Sequence, residues 1–153
     1  SKKDFRRNYK LHDLAENVGK NLLTQWGFEF IQFGEDRRYE KLWEKGKDKP
    51  DAIIKYKDTI ALLDWKAKHK QEWIVNSRAV NSYLEWNKIL NMRVIIAFFV
   101  FNDNNDLLDK RFALLPIHKF QLCVKKQWDK NDTIVFIEDL PVFNKDNLVK
   151  YLF

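Results

Sequence analysis

Two aspartates and a lysine in one strand-like stretch are the residues of this sequence best suited to chemistry. Asp51 and Asp64 lie 13 positions apart in KPDAIIKYKDTIALLDWKAK, residues 49–68, and Lys66 follows the second aspartate by two. Carboxylates held close together repel each other, and a divalent cation removes this conflict while keeping water molecules that phosphate oxygens can replace. A bound cation also stabilises negative charge developing at phosphorus and lowers the pKa of a coordinated water. A neighbouring lysine can orient that water or stabilise the transition state.

The pattern around these residues predicts a β-hairpin that brings them together. Two β-rich runs, DAIIKYK and TIALLDWKA, are separated by Lys57 and Asp58, which favours an antiparallel turn. Side chains alternate along a strand, so Asp64 and Lys66 share one face while Trp65 points to the other. A plainer interpretation makes the charged residues the solvated ends of two strands. The apolar run IALLD argues against it, because a charge buried there is costly without a partner or a metal.

Helical and strand-like patterns on both sides of the hairpin predict a layered α/β protein. Apolar residues at helical spacing indicate a helix over 9–26, and aromatic residues favour a strand over 28–34, followed by a charged excursion over 35–49. The elements predicted after the hairpin are a helix over 74–90, a buried strand over 94–101, a turn over 102–106, a strand over 111–117, a helix over 118–128, a strand over 133–137 and a helix over 144–152. This order is typical of a mixed sheet flanked by helices.

The length and composition of the chain indicate one intracellular domain. Its 153 residues fall within the range of a single domain, and an apolar fraction of 45% is enough for a dense core. The one cysteine cannot form an internal disulfide, and no Cys/His cluster has zinc spacing, which favours a reducing compartment. No apolar leader is visible, and the longest apolar run, VIIAFFVF, is too short to cross a bilayer. We therefore expect a soluble protein.

Positive charge is concentrated around the candidate site. The net charge is +6, and residues 1–10 and 36–70 each carry a surplus of +4. Such segments are typical of proteins that bind polyanions, although a solvated basic face has the same pattern. The candidate phosphate contacts are Arg37, Arg38, Lys41, Lys68, Lys70 and Arg78. None of the histidines, which are His12, His69 and His118, has a partner at metal or catalytic-triad spacing.

The order of these motifs resembles that of a nuclease superfamily. The PD pair at 50–51, followed after twelve residues by DWK, resembles the signature of the PD-(D/E)xK nucleases. The preceding segment LAENVGKNLLTQWGFEF is similar to the opening helix of archaeal Holliday-junction resolvases and related restriction-type nucleases, where a glutamate precedes a GF pair and a strand. The resemblance covers residues 9–101. It implies a single nuclease domain over 1–153 with a restriction-endonuclease-like core, in which helices flank a mixed sheet in the order αβββαβ, and a C-terminal extension over 102–153.

The resemblance also implies roles for individual residues. Asp51 and Asp64 would bind Mg2+, for which Mn2+ can substitute, and Lys66 would be the catalytic lysine. Glu16 would assist the metal from the first helix, directly or through water, and the backbone carbonyl of Trp65 would be a further ligand. The sequence departs from the resolvase pattern in two ways. The third acidic position is Asp where resolvases usually have Glu, and the charged excursion lengthens the interval between the helix and the PD pair.

The activity that the resemblance implies is divalent-metal-dependent DNA endonuclease activity in a homodimer or higher homo-oligomer. The excursion and the C-terminal third have no evident resolvase counterpart, which favours a site-specific enzyme of restriction or homing type acting on double-stranded DNA. A structure-specific resolvase of branched four-way junctions is the alternative. A non-catalytic nucleic-acid-binding module and a basic protein-interaction domain are rivals from other classes. The complete set of two acids and a lysine argues against the binding module.

Overall fold

The described part of the chain, residues 2–33, 48–128 and 131–152 of a computed structural model, forms two β-sheets and three helices. The helices are α1 (Lys2–Gln25), α2 (Ser77–Leu90) and α3 (Lys145–Leu152). The strands are β1 (Glu29–Gln32), β2 (Ala52–Tyr56), β3 (Thr59–Lys68), β4 (Ile74–Asn76), β5 (Val94–Phe101), β6 (Leu107–Leu115), β7 (Phe120–Trp128) and β8 (Asn131–Phe136). Most of the predicted excursion over 35–49 lies outside the described residues. None of the described helices combines the length and apolar character needed to cross a membrane.

The larger sheet has five strands in the order β1-β2-β3-β5-β6. The strands β1, β2 and β3 are antiparallel neighbours, β5 runs parallel to β3, and β6 runs antiparallel to β5. Every residue of β5 is buried, as an apolar run on both faces requires of a central strand covered by other layers. The predicted mixed sheet flanked by helices is therefore confirmed.

Alternation along the strands divides the core between the two faces of this sheet. Trp65 and Phe99 pack on the face that α1 and α3 cover. Leu62 and Phe98 pack on the opposite face, which α2 and the second sheet cover. Since Asp64 lies two residues after Leu62, the same alternation directs its side chain toward α2.

Helix α1 approaches the sheet closely where Gly19 meets the Trp65 indole. A Cβ atom at position 19 would lie 2.2 Å from both Cη2 and Cζ3 of the ring, so a larger side chain does not fit without movement. The indole also packs against Phe99 and Phe143, with ring centroids 5.5 and 5.9 Å away. This contact sets the height of α1 over β3, and with it the position of the helix residues one and two turns before Gly19.

The predicted hairpin is present, and its two strands end at different points. Pairing runs from Tyr56 and Thr59 beside the turn to Ala52 and Leu63. Beyond that point β3 continues beside β5 as far as Lys68, while β2 has ended. Among the residues that the structure describes, no strand pairs with this side of β3 after Leu63, and this open side forms a fork at the end of the hairpin.

Two segments that were predicted to be helical are strands. The helix predicted over 118–128 is wrong, because Phe120–Trp128 forms β7 and pairs antiparallel with β8. The first residues of the helix predicted over 74–90 are also wrong, because Ile74–Asn76 form β4 on the other edge of β8. The backbone groups of β8 need partners on both sides, and this tertiary requirement outweighs the local helical periodicity.

Candidate active site

Asp51 lies in the fork between the end of β2 and the continuing strand β3. The Leu62 amide donates to the Arg93 carbonyl on the β5 side, so the backbone groups of Trp65, three residues later, point to the opposite side. The Trp65 N–H donates a 2.8 Å hydrogen bond to Asp51 Oδ2. The carbonyl of Trp65 faces the same open side. The fork therefore brings together the first acid of the predicted set and the predicted backbone ligand.

Asp64 is the one buried acidic residue in the described part of the chain, with 3% of its surface exposed. Burial raises its pKa from 3.8 to about 6, opposed by the charge of Lys66 and assisted by the charge of Asp51. A buried carboxyl group whose pKa responds to a second carboxylate shares one electrostatic site with it. Asp51 also accepts from the amide of Trp65, the residue after Asp64, so the two predicted acids lie at the same fork.

Lys66 pairs with Asp64 at the mouth of this site. Its Nζ lies 2.8 Å from Asp64 Oδ2, and 29% of the lysine side chain remains exposed. Burial lowers the pKa of Lys66, but the charge of Asp64, the short contact with its carboxylate and the charges of Asp51 and Asp48 together raise it overall. The contact is an ion pair without hydrogen-bond alignment, since the buried Oδ2 atom accepts no hydrogen bond. Lys66 is thus charged and partly exposed to solvent, whereas the carboxylate of Asp64 beside it is buried.

His12 is a side chain of this site that the sequence analysis missed. Its Nε2 lies 3.3 Å from Asp51 Oδ2. The hydrogen bond to Asp51 raises the pKa of His12 against the effect of burial, and the charges of Asp51, Asp64 and Glu16 add to the rise. Burial acts to raise the pKa of Asp51, but the contacts with His12 and the Trp65 amide outweigh it and hold that pKa below its usual value.

Glu16 lies on the same face of α1 as His12, one turn further on. Ligand atoms of His12, Asp13 and Glu16 all lie within 4.8 Å of one another. Asp13 is exposed, whereas His12 and Glu16 are half-buried. The structure therefore places Glu16 beside the histidine that contacts Asp51. The spacing of four residues between His12 and Glu16 was the available sequence signal for this cluster.

Tyr83 approaches Asp64 from α2, on the other face of the sheet. Its side chain is buried, with 2% of the residue exposed. Burial raises the pKa of its hydroxyl group well above the usual range, and the charge of Asp64 and a hydrogen bond with that carboxylate act in the same direction. Tyr83 is a second residue of the site that the sequence analysis missed, because its position in α2 has the periodicity of a core residue.

Helix α2 also holds the segment that leads to Asp51. The Asp48 carbonyl accepts a 2.9 Å hydrogen bond from Trp86 Nε1, and the Asp48 amide donates to Ser82 Oγ at 3.3 Å. The Asp48 carboxylate pairs with Arg78 Nε at 3.0 Å. These three contacts fix the chain three residues before Asp51, so the fork is supported from both faces of the sheet.

The residues predicted to contact DNA differ in how far their side chains reach solvent. Lys70 is exposed just after β3, and the Arg78 side chain is 68% exposed although its Nε pairs with Asp48. Lys68 turns toward the protein, since its Nζ donates to the Ile74 carbonyl at 2.8 Å. The candidates outside the described residues are Arg37, Arg38 and Lys41.

The other two histidines do not join the site. His69 is exposed after β3. His118 is buried, and its Nδ1 accepts a 2.8 Å hydrogen bond from the Leu114 amide. Burial lowers the pKa of His118, so its ring has a structural role as a neutral acceptor.

Two observations at the fork fit a divalent cation. Asp64 Oδ2 is a buried carboxylate oxygen that lies 2.8 Å from Lys66 Nζ but accepts no aligned hydrogen bond, so it can still coordinate a cation. The carboxylates of Asp51 and Asp64, together with the Trp65 carbonyl, form a set of oxygen donors of the kind that Mg2+ and Mn2+ prefer.

Comparison with known proteins shows the fold of the chain. No protein-family model matches the sequence, and no curated protein matches it. Among solved structures, the chain is similar to Hjc, a Holliday junction resolvase from the archaeal hyperthermophile Archaeoglobus fulgidus, with a TM-score of 0.55 and 12% sequence identity. The match covers 88% of this chain and 98% of the resolvase chain. The mixed α/β fold is therefore the restriction-endonuclease-like fold of that resolvase.

Proposed function

We propose that this protein is a divalent-metal-dependent endodeoxyribonuclease that hydrolyses phosphodiester bonds. The observation that carries the proposal is the convergence of Asp51, Asp64 and Lys66 at the fork of the sheet. Asp51 is fixed by the Trp65 amide at 2.8 Å, and Lys66 is paired with Asp64 at the same distance. The similarity of the fold to that of a Holliday junction resolvase supports the same proposal, because the three residues lie in the sheet that the two proteins share.

In this proposal the chain supplies a binding site, a charged lysine and a fixed acid. Asp51, Asp64 and the Trp65 carbonyl would hold Mg2+ or Mn2+, which supplies positive charge to a phosphate and lowers the pKa of a bound water. The hydrogen bond from Trp65 keeps Asp51 ionised and oriented. Lys66, which is partly exposed beside Asp64, can donate to a phosphate oxygen or to the attacking water.

We propose branched DNA, and four-way junctions in particular, as the first substrate to test. Because the match to the resolvase covers 88% of the chain, it has to include most of the residues after Phe101, which form a third of the sequence. The C-terminal third is then no reason to prefer another substrate. Site-specific cleavage of duplex DNA is the second candidate, and it is favoured by the basic excursion that separates β1 from Asp51. A symmetric dimer would present one site to each strand of either substrate.

A cleavage assay tests the activity and the substrate together. The protein is incubated with Mg2+ and a panel of plasmid, linear duplex, four-way junction and single-stranded DNA. We expect Asp64→Ala and Lys66→Ala to abolish cutting, whereas Asp58→Ala, in the exposed turn of the same hairpin, should cut normally. Cutting that survives both site substitutions would refute the assignment. Binding without cutting by the intact protein would favour a non-catalytic module.

A further inference from the structure

Arg78 occupies a place in helix α2 that local helix energetics do not favour. It lies in the first turn, which holds no acidic residue, and the N-cap residue Asn76 makes no side-chain hydrogen bond to that turn. The N-terminal end of a helix is stabilised by acids, whereas cations are favourable at the C-terminal end. The start of α2 therefore combines a guanidinium group with backbone N–H groups that no N-cap side chain satisfies, and both attract an anion.

Asp48 orients the Arg78 side chain. Arg78 Nε donates a 3.0 Å hydrogen bond to Asp48 Oδ2, while 68% of the arginine side chain is exposed. A guanidinium group carries five N–H donors in a rigid plane, so this bond uses Nε and leaves the two Nη groups as a forked pair. No residue in the described ranges accepts a hydrogen bond from those Nη groups. The pair matches the oxygens of a phosphate, which arginine binds in a bidentate manner.

The backbone of Asp48 is held by contacts that do not involve its carboxylate. The carbonyl of Asp48 accepts a 2.9 Å hydrogen bond from Trp86 Nε1, and its amide donates to Ser82 Oγ at 3.3 Å. Any residue at position 48 can make these two contacts, except proline at the amide. Alanine there would keep both contacts and remove only the acceptor of Arg78.

The guanidinium group lies beside the proposed cleavage centre. Asp48 precedes Asp51 by three residues, which separates their Cα atoms by at most about 11 Å. The negative charge of Asp48 also reaches Lys66, because it is one of the causes that raise the pKa of that lysine. Since Arg78 is bonded to Asp48, a DNA strand that brings one phosphate to Lys66 passes close to the free Nη pair.

We propose that Arg78 binds a backbone phosphate next to the scissile one, and that Asp48 is a positioning residue that holds the guanidinium group for this contact. The inference rests on the proposed nuclease function and names the groups that place the DNA strand over Asp64 and Lys66. Contacts to phosphate fix the position of DNA without reading its sequence. Asp48 acts only through Arg78, so its effect on DNA binding depends on the arginine.

The sign of the Asp48→Ala effect tests the positioning role. Binding of a fluorescently labelled four-way junction and of duplex DNA is measured by anisotropy in EDTA, which prevents metal-dependent cutting. By charge alone, removing an acid should strengthen binding to a polyanion. If Asp48 positions Arg78, Asp48→Ala should instead weaken binding about threefold or more, and it should no longer weaken binding in the Arg78→Ala background. Asp48→Asn, which keeps an oxygen acceptor for Nε, should bind at least as tightly as the natural chain.

Arg78→Ala measures the phosphate contact itself. Affinity should fall about tenfold, and the slope of log affinity against log salt concentration should decrease by about one. Arg78→Lys keeps the charge without the fork, so it should retain the salt slope and lose only part of the affinity. The matched control is Arg93→Ala, which removes an exposed arginine beyond the other end of α2 and should leave affinity and slope nearly unchanged. A melting temperature checks that each variant is folded.

The outcomes distinguish this inference from the proposed function. Unchanged affinity and salt slope in Arg78→Ala would overturn the inference, as would binding by Asp48→Ala that equals or exceeds that of the natural chain. Failure of the intact protein to bind either DNA would overturn it as well. Cutting by Arg78→Ala as efficient as that of the natural chain would leave the nuclease proposal standing and remove the phosphate contact. Binding that depends on Arg78, in a protein that cuts none of the four DNA substrates, would leave the contact standing and remove the nuclease proposal.

Discussion

Replacing Asp64 by asparagine should change how the stability of the protein depends on pH. Burial raises the pKa of Asp64 from 3.8 to about 6, so between these pH values the folded protein binds more protons than the unfolded chain. The free energy of unfolding therefore falls as the pH rises through this window. The rise from 3.8 to about 6 corresponds to a penalty of roughly 3 kcal/mol above pH 7. Asp64→Asn removes this penalty because an amide does not ionise.

The measurement is urea denaturation of both proteins in EDTA between pH 4 and 7.5. Over this range the stability of Asp64→Asn relative to the natural chain should rise by about 2–3 kcal/mol. Asp58→Asn, in the exposed turn of the same hairpin, is the matched control and should show a flat difference. The substitution also changes packing around the side chain, and this part of the stability difference does not depend on pH. Following the stability difference across the pH range separates it from the part that arises from ionisation.

A difference between Asp64→Asn and the natural chain that stays constant from pH 4 to 7.5 would refute the reasoning, since Asp64 would then titrate normally. Adding Mg2+ provides a second check. A cation that binds the ionised carboxylate stabilises the folded state by mass action. The natural chain should therefore gain more stability from Mg2+ at pH 7.5 than Asp64→Asn does.

Three further substitutions test the packing and the charges around the site. Gly19→Ala should lower the free energy of unfolding by about 1–3 kcal/mol, because the added Cβ would meet the Trp65 ring at 2.2 Å. Helix propensity alone predicts a gain of about 1 kcal/mol, and such a gain would contradict the close contact. Tyr83→Phe should lower the free energy of unfolding by about 1 kcal/mol at pH 8 and by less at pH 5, where Asp64 is largely protonated. An equal loss of stability at both pH values would exclude the hydrogen bond to the carboxylate. Lys66→Met should shift the midpoint of the Asp64 titration upward in the same denaturation experiment, and an unchanged midpoint would show that the ion pair is not formed in solution.

The central site was predictable because its residues are close in sequence and lie on strands. Alternation with a period of two places Asp64 and Lys66 on one face, and a two-residue turn brings Asp51 to the same end of the hairpin. Both relations depend only on local geometry. The buried strand β5 was equally clear, because eight apolar residues in succession leave no exposed face.

His12 was missed because its partner is distant in sequence. It lies 39 residues before Asp51, and the contact depends on how closely α1 can approach the sheet. That distance is set by Gly19 over Trp65, a packing relation between two elements that single-residue patterns do not contain. The helix predicted over 118–128 failed for a related reason, because the strand β7 is stabilised by its pairing with β8.

The hydrogen bond from the Trp65 amide to Asp51 makes one oxygen atom serve two purposes. Asp51 Oδ2 takes the place that a carbonyl of β2 would occupy if that strand continued, so it completes the backbone pairing of β3 and also belongs to the carboxylate that we propose as a metal ligand. Alanine at position 51 would remove both at once, leaving an amide near the sheet interior without its acceptor. Asparagine retains a neutral oxygen for the amide while weakening the hold on a cation. In tests of the proposed nuclease activity, the inactive form used to trap intact DNA should therefore carry Asp51→Asn, since the architecture of the fork would survive the loss of charge.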